Sequence, residues 1–450
     1  EQTIQNYPHS EFAIDAYWNA ATLCNQGGKV AKAFHYAEQI IDQYSQSDNA
    51  HAREIVYSAR NLICNLLLAD GTLRSNGTAV LSQQLTAIVA SLNATHEARA
   101  NAYFELGNLH TVAKDYQSAQ AAYQKAKQES DSDELRKKIG YRETTLHFAL
   151  GEYAKVVETG LETLQKIGTS AIHGSQSAIA AHLYYLIGQS QMQLNQIDAA
   201  EEAFQQAIAL ITDGATMPEI RRIELAEINP FSHFYLGHIH ERRGQTDRAI
   251  AEYQVVLSAI GVSSTEQKAK EIRTEAAWQL ARIYENEPIN ESANQQTDES
   301  SITNHQSQVR REPHSPTHQQ ALELYAQVIA ANINPRLTAG AIYRRGRLYQ
   351  RAADPDKAMA EFSQLVDGFS KSTDAEIKAM VEDAILRLPN LSNSSGDVNA
   401  AIKTAKAALQ IAQNKAAPLL LAKAQFQLAS LYYQSGDKKQ QRSAVRLFKE

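Results

Sequence analysis

The sequence predicts an all-α protein built as an array of helix hairpins, and three observations lead there. The first is self-similarity. In Tyr103–Ala126, YFELGNLHTVAKDYQSAQAAYQKA, Gly107 is followed at fixed offsets by Ala119, Tyr123 and Ala126. The same offsets join Gly188 to Ala200, Phe204 and Ala207, Gly237 to Ala249, Tyr253 and Val256, and Gly346 to Ala358, Phe362 and Leu365. Ala21, with Ala33, Ala37 and Ile40, is a weaker copy. A period of this kind marks a repeat architecture before any local assignment is made. The second is composition: Ala, Gln, Leu and Glu are abundant and only 10 of 450 residues are proline, as helices require. The third is punctuation. Lys114-Asp115, Asn195-Gln196, Gly244-Gln245 and Gly436-Asp437 each separate two helical stretches.

The spacing has a mechanical reason. Two antiparallel helices joined by a tight turn approach closely where small residues face each other, and Gly107 with Ala119 is expected to supply such a pair. Tyr103, Leu106, Tyr116 and Tyr123 then fill the space toward the next helix. This pattern resembles the tetratricopeptide repeat family, whose first helix carries W-x-x-L-G-x-x-Y and whose second carries A-x-x-x-F-x-x-A. The resemblance runs along nearly the whole chain. It implies a right-handed superhelical solenoid of about ten hairpins with a concave binding groove.

Taken in order, first helices are expected near 12–26, 50–68, 96–113, 132–150, 173–194, 218–243, 264–287, 335–352, 373–388 and 416–435. The opening EQTIQNYPHS nearly repeats as EQIIDQYSQS at 38–47, the end of a second helix. The chain is therefore expected to start inside the closing helix of a repeat, and SAVRLFKE (443–450) to stop inside another. Such a piece would belong to a longer repeat protein, because arrays end in polar capping helices. The units at 50–92 and 373–412 are degenerate, and the one at 132–167 has Glu143-Thr144 where Leu-Gly is expected. The expected organisation is a solenoid over 1–286, a disordered insertion at 287–316 and the solenoid continued over 317–450. The insertion is free of aromatics and rich in Asn, Gln, Ser, Thr and Glu, so it has too little apolar surface to offset the cost of ordering. It falls in the turn between a first helix ending near Tyr284 and a second carrying Ala321, Tyr325 and Val328. Closing so long a loop costs only about 2 kcal/mol more than a tight turn. Both a binding or processing loop, with Arg310-Arg311 as a cleavage site, and a neutral insertion fit.

Composition and motifs exclude several classes. A net charge of −6 is not that of a nucleic-acid coat. Two cysteines, Cys24 and Cys64, do not make a disulfide scaffold. No apolar run reaches the roughly 20 residues of a membrane span. No phosphate-binding, dinucleotide, nucleophile-elbow or zinc-protease motif occurs, so no catalytic residue, cofactor or metal is expected. His233, His238 and His240 share a helix at spacings that do not place two ligands on one face. His110, His147 and His240 take the packing-Tyr place of the repeat.

The family resemblance implies that residues three before, one after and five after the first-helix glycine line the groove. The first of these is aromatic in Trp18, Phe104, Tyr141, Tyr185, Phe234, Trp278, Tyr343 and Phe426. Such rings either meet a ligand, as aromatics do at interface hot spots, or pack only on their neighbours. Charge narrows the candidate site to Phe234, His238, Arg242, Trp278, Arg282, Tyr343, Arg347 and Arg351, flanked by Arg344 and Arg345 and partly neutralised by Glu241, Glu275 and Glu285. Arginine grips carboxylates with two parallel hydrogen bonds, so the expected partner is a peptide or protein with an acidic segment. The Lys and Asn clamp of chaperone-binding family members is incomplete: the matching places hold Phe104 and Asn108. The function expected is a non-catalytic interaction scaffold. YPHSEFAIDAYWNAA resembles repeats of bacterial envelope proteins, which points to envelope assembly or export in the periplasm, with a cytoplasmic setting as the alternative. A docking arm of a larger enzyme and a glycan-binding solenoid of an export system remain alternatives, the latter with a glycan as ligand.

Overall fold

The computed structural model describes residues 12–69, 71–168, 175–212, 227–262, 264–286, 316–394, 397–414 and 418–448. They form α-helices joined by short turns, with no strand among the described residues. The chain packs as two compact units, Glu1–Ile228 and Asn229–Glu450. In unit one, α1 (Ala13–Gln26) pairs with α2 (Val30–Tyr44), and α3 (Ala50–Ala69) with α4 (Gly71–Ala90). Next come α5 (His96–Val112) with α6 (Tyr116–Glu129), α7 (Asp133–Ala149) with α8 (Tyr153–Ile167), and α9 (Ser175–Gln193) with α10 (Ile197–Thr212). Unit two opens with α11 (Ile228–Arg242) and α12 (Thr246–Ala259), followed by α13 (Gln267–Asn286) with α14 (Pro316–Ala331). It continues with α15 (Pro335–Arg351) and α16 (Pro355–Phe369), α17 (Ala375–Ser394) and α18 (Val398–Asn414), and α19 (Pro418–Gln434) and α20 (Lys438–Leu447). The expected segments at 1–10, 218–226 and 287–315 lie outside the described residues.

Local chemistry starts these helices where they start. Thr95, Asp115, Ser132, Asp354 and Asp437 each accept a backbone N–H of the first turn that has no partner inside the helix. Asn334 does the same ahead of Pro335, whose missing N–H costs nothing at the first helical position. Six hairpin turns share one geometry: the N–H of Lys29, Asp115, Glu152, Gln196, Gln245 and Asp354 bonds the carbonyl five residues earlier, at 2.8 to 3.0 Å. The residue just before each donor has positive φ. It is Gly28, Gly151 or Gly244 where backbone freedom is available, but Lys114 (φ 60), Asn195 (φ 58) and Ala353 (φ 56) elsewhere. Three of these turns are closed a second time by side chains: His147 Nδ1 lies 2.6 Å from Glu152, His240 Nδ1 2.8 Å from Gln245, and His110 Nδ1 3.5 Å from Asp115. The packing-Tyr place thus holds a histidine that ties the end of one helix to the start of the next.

In four hairpins the governing contact is between the first-helix glycine and a second-helix ring sixteen residues on. Tyr123, Phe204, Tyr253, Tyr325 and Phe362 are among the largest side chains with no exposure. A Cβ on Gly107, Gly188, Gly237 or Gly346 would collide with the ring of Tyr123, Phe204, Tyr253 or Phe362 respectively. The ring of Tyr123 is what a Cβ on Gly107 would meet first. The α7–α8 hairpin shows the same rule inverted. Thr144 stands in the glycine place and is fully buried, and Gly160 stands in the ring place. A Cβ on Gly160 would meet Thr144 Cγ2 at 3.5 Å and Ile187 at 3.0 Å. Volume lost from the second helix is recovered by the first.

One helix outruns its expected end. The expected range of α17 ends near 388, just before Pro389, which lacks an N–H to donate. The helix continues through a buried Pro389 to Ser394. Nearby, Leu386 O accepts Gln427 Nε2 of α19 at 2.7 Å. Cys24 and Cys64 are both free. Burial pushes the Cys64 thiol up to about 12, which keeps it protonated and unreactive.

Candidate functional site

All eight expected site residues lie on three first helices of unit two: Phe234, His238 and Arg242 on α11, Trp278 and Arg282 on α13, and Tyr343, Arg347 and Arg351 on α15. They do not play equal parts. The aromatic stripe is partly spent inside the hairpins, while Phe426 is exposed. Phe234 is buried and meets Tyr253, with ring centroids 6.3 Å apart. Trp278 meets Tyr325 edge-on at 5.6 Å, and Tyr343 meets Phe362 at 6.0 Å. In unit one Phe104 and Tyr185 pack on Tyr123 and Phe204 in the same way. What remains open of Trp278 and Tyr343 has a guanidinium over it: Arg344 stands 5.5 Å from the Trp278 centroid and Arg347 5.9 Å from that of Tyr343.

The arginines divide into two sets. Glu285 is buried and accepts Arg344 Nη1 at 2.8 Å and the Tyr325 hydroxyl at 2.7 Å, while Arg351 approaches its other oxygen at 3.5 Å. Arg345 pairs with Glu361 at 3.0 Å. These guanidiniums are neutralised within the protein. Arg242, Arg282 and Arg347 make no ion pair among the described residues. Arg242 is exposed. Arg282 donates to Gln279 Oε1 at 2.7 Å, and Gln279 in turn donates to Glu275 at 3.2 Å. Burial holds the Glu275 pKa above its ordinary value, against the pull of Gln279 and Arg282. Arg347 Nη1 donates to the Tyr343 hydroxyl at 3.3 Å.

His238 sits between these groups. Its ring meets Phe234 edge-on at 4.6 Å and Tyr253 at 5.8 Å. Burial lowers its pKa; Glu241 opposes this, and Arg282 and Arg242 add to it. The imidazole is therefore neutral at neutral pH, and Arg242 and Arg282 are close enough to act on one group from two helices. The other two histidines of α11 point elsewhere, His233 to Glu252 at 2.5 Å and His240 to its turn. Among the described residues no group of three or more His, Cys, Asp or Glu is placed to hold a metal.

The face extends one helix further than the sequence indicated. Tyr343 donates its hydroxyl to Asp383 Oδ2 of α17 at 2.7 Å, and Arg387 pairs with the same carboxylate and reaches Gln350 at 3.0 Å. Burial works against the Asp383 carboxylate, but its bonds to Arg387 and Tyr343 outweigh that and hold its pKa below the ordinary value. The signal available was an i, i+4 acid–base pair, Asp383 and Arg387. It was hidden because this unit lacks the small residue that sets the register.

A ladder of hairpins with a side-chain face on its first helices is an interaction scaffold by architecture. Residues 181–213 and 341–372 each match a tetratricopeptide repeat model. These segments contain the Gly188–Phe204 and Gly346–Phe362 registers, so these two stretches are tetratricopeptide repeats, and the Gly107–Tyr123 and Gly237–Tyr253 hairpins share their register. No curated protein matches the sequence. Among solved structures the chain is similar to the apo form of RapI, at 11% identity over 89% of this chain and 97% of that one, with a TM-score of 0.44. It is also similar to the apo form of the quorum sensor NprR from B. thuringiensis, at 11% identity over 97% of each chain and a TM-score of 0.36. A tetratricopeptide repeat protein from Parabacteroides merdae is similar at 11% identity over 72% of this chain and 98% of that one, with a TM-score of 0.36. No helix among the described residues is long and apolar enough to cross a membrane.

Proposed function

We propose that the chain is a non-catalytic scaffold that holds an acidic peptide or protein segment on the first-helix face of unit two. The observation that carries this is the division of the arginines. Glu285 and Glu361 neutralise Arg344, Arg351 and Arg345, yet Arg242, Arg282 and Arg347 make no direct ion pair among the described residues, although Glu275 and Asp383 act on Arg282 and Arg347 through space. Arg282 and Arg347 are half-buried and each is steered by one neutral partner, Gln279 or Tyr343. A guanidinium held in place without a direct ion-pair partner is suited to a carboxylate arriving from outside. Phe104, Tyr185 and Phe234 are buried and a guanidinium lies over the rings of Trp278 and Tyr343, which favours this over stacking on sugar rings, although Phe426 is exposed. Within this reading the envelope setting rests on the resemblance of YPHSEFAIDAYWNAA alone.

The test is fluorescence anisotropy of a labelled acidic peptide panel against the chain and against Arg282→Glu combined with Arg347→Glu. Saturable binding weakened at least about tenfold by the charge reversal, a loss of about 1.4 kcal/mol, is the expected result. Equal binding by both forms would remove these arginines from the site. Absence of binding by any acidic peptide would overturn the reading. Affinity capture from source cells with the same pair of proteins would then identify the partner.

A further inference from the structure

Unit one holds a cavity of about 720 Å³ that the acidic-peptide reading does not use. Its walls come mainly from α3, α5, α7 and α9, and they are apolar: Leu68, Leu109, Val112, Tyr141 and Ile179. Val112, an aliphatic side chain, is 82% exposed. The polar atoms on the floor satisfy each other. The Tyr123 hydroxyl donates to Asn108 Oδ1 at 2.9 Å, and Asn108 Nδ2 donates to Glu105 Oε2 at 3.1 Å. Lys138 and Arg142, one turn apart on α7, also line the cavity; both are exposed and neither makes an ion pair among the described residues. Two cations against the one carboxylate of Glu105 leave a single positive charge in excess.

We propose that this cavity binds a small amphipathic acid, an aliphatic or aromatic body carrying one carboxylate. The apolar wall favours an apolar body, and its volume is within the range of small-ligand sites. The unpaired Lys138 and Arg142 favour an anion, and the excess of one charge favours a single one. An extended peptide fits less well. Each of its residues brings an N–H and a C=O that must be paired on burial, and Tyr123, Asn108 and Glu105 already use their groups on one another. A ligand without a backbone meets what the cavity leaves open. This site is in a different unit from the acidic-peptide face, so each can fail without the other.

A dansyl-labelled undecanoate tests it, because dansyl emission rises in an apolar site. Saturable one-to-one binding is expected, with displacement by decanoate and at least about tenfold weaker displacement by decanol, as the loss of one charge-assisted contact implies. Lys138→Glu with Arg142→Glu reverses the charge on exposed side chains and is expected to weaken the probe at least about tenfold. Val112→Asp, also exposed, is expected to weaken it through the wall. Unchanged melting curves for both variants show that the fold is intact. Absence of saturable binding, equal binding by the charge-reversed variant, or equal displacement by decanol would each overturn the proposal. Displacement by an apolar peptide blocked at both termini, as effective as by decanoate, would overturn the choice of an acid over a peptide.

Discussion

Replacing Gly237 with alanine puts the glycine-to-ring contact to its most direct trial. The new Cβ would lie 2.6 Å from Cε1 and 2.9 Å from Cδ1 of Tyr253, well inside ordinary van der Waals contact. Tyr253 has little room to yield. It has no exposure, its hydroxyl donates to Glu241 at 3.0 Å, and its ring is flanked by Phe234 and His238. Overpacking of this kind costs about 1–3 kcal/mol, and a locked ring places it at the upper end. Alanine's better helix propensity returns about 1 kcal/mol. The net expectation is a destabilisation of about 2 kcal/mol. Gly368→Ala in α16 is the control, since a Cβ there meets no atom within 4 Å. It gains only propensity, and is expected to stabilise by about 0.5 kcal/mol near a helix end. Urea unfolding followed by far-UV circular dichroism reads both. Hydrogen exchange in α11 and α12 localises the effect, because a repeat stack opens in pieces. Gly237→Ala as stable as the unaltered chain would refute the assigned role of the glycine.

Ala353→Gly relieves a non-glycine residue at φ 56 and is expected to stabilise unit two by about 1 kcal/mol, read as a raised urea midpoint. Glu285→Ala strips Arg344, Arg351 and Tyr325 of their shared acceptor. The arginines can still reach water, so the expected loss is about 2 kcal/mol rather than that of a fully buried pair, checked by thermal melting. The backbone N–H groups of Ile377 and Glu376, with Arg336, hold the Asp374 carboxyl below its ordinary pKa. A depressed carboxylate contributes stability above its unfolded pKa of about 3.9 and loses it as pH falls through the folded value. Asp374→Asn is therefore expected to lower stability at pH 7 and to flatten the acid limb of a pH–stability curve.

Each of the ten expected first helices overlaps a described helix, and in four of them the pattern that marked the helix is the packing rule itself. A glycine with a ring sixteen residues later can be read from sequence since both partners belong to one hairpin. What escaped reading depends on another hairpin. The continuation of α17 through a buried Pro389 depends on its packing, which no local pattern encodes. The sorting of arginines into paired and unpaired rests on which carboxylates neighbouring helices present. Glu285, Arg344 and Arg351 were all visible as charges, but their meeting was not. The Thr144–Gly160 exchange was hidden because each residue alone looks like a departure from the pattern, and only together do they keep it.

That exchange sets the grain at which this chain can be cut and recombined. A helix taken singly from the α7–α8 hairpin and grafted beside a conventional partner would bring either two bulky groups or two small ones to one spot. Moved together, Thr144 and Gly160 carry their fit with them. The interchangeable module is thus the hairpin and not the helix. Chimeras that trade whole hairpins are expected to fold where single-helix trades at the same junctions do not, a difference that soluble expression and circular dichroism would register.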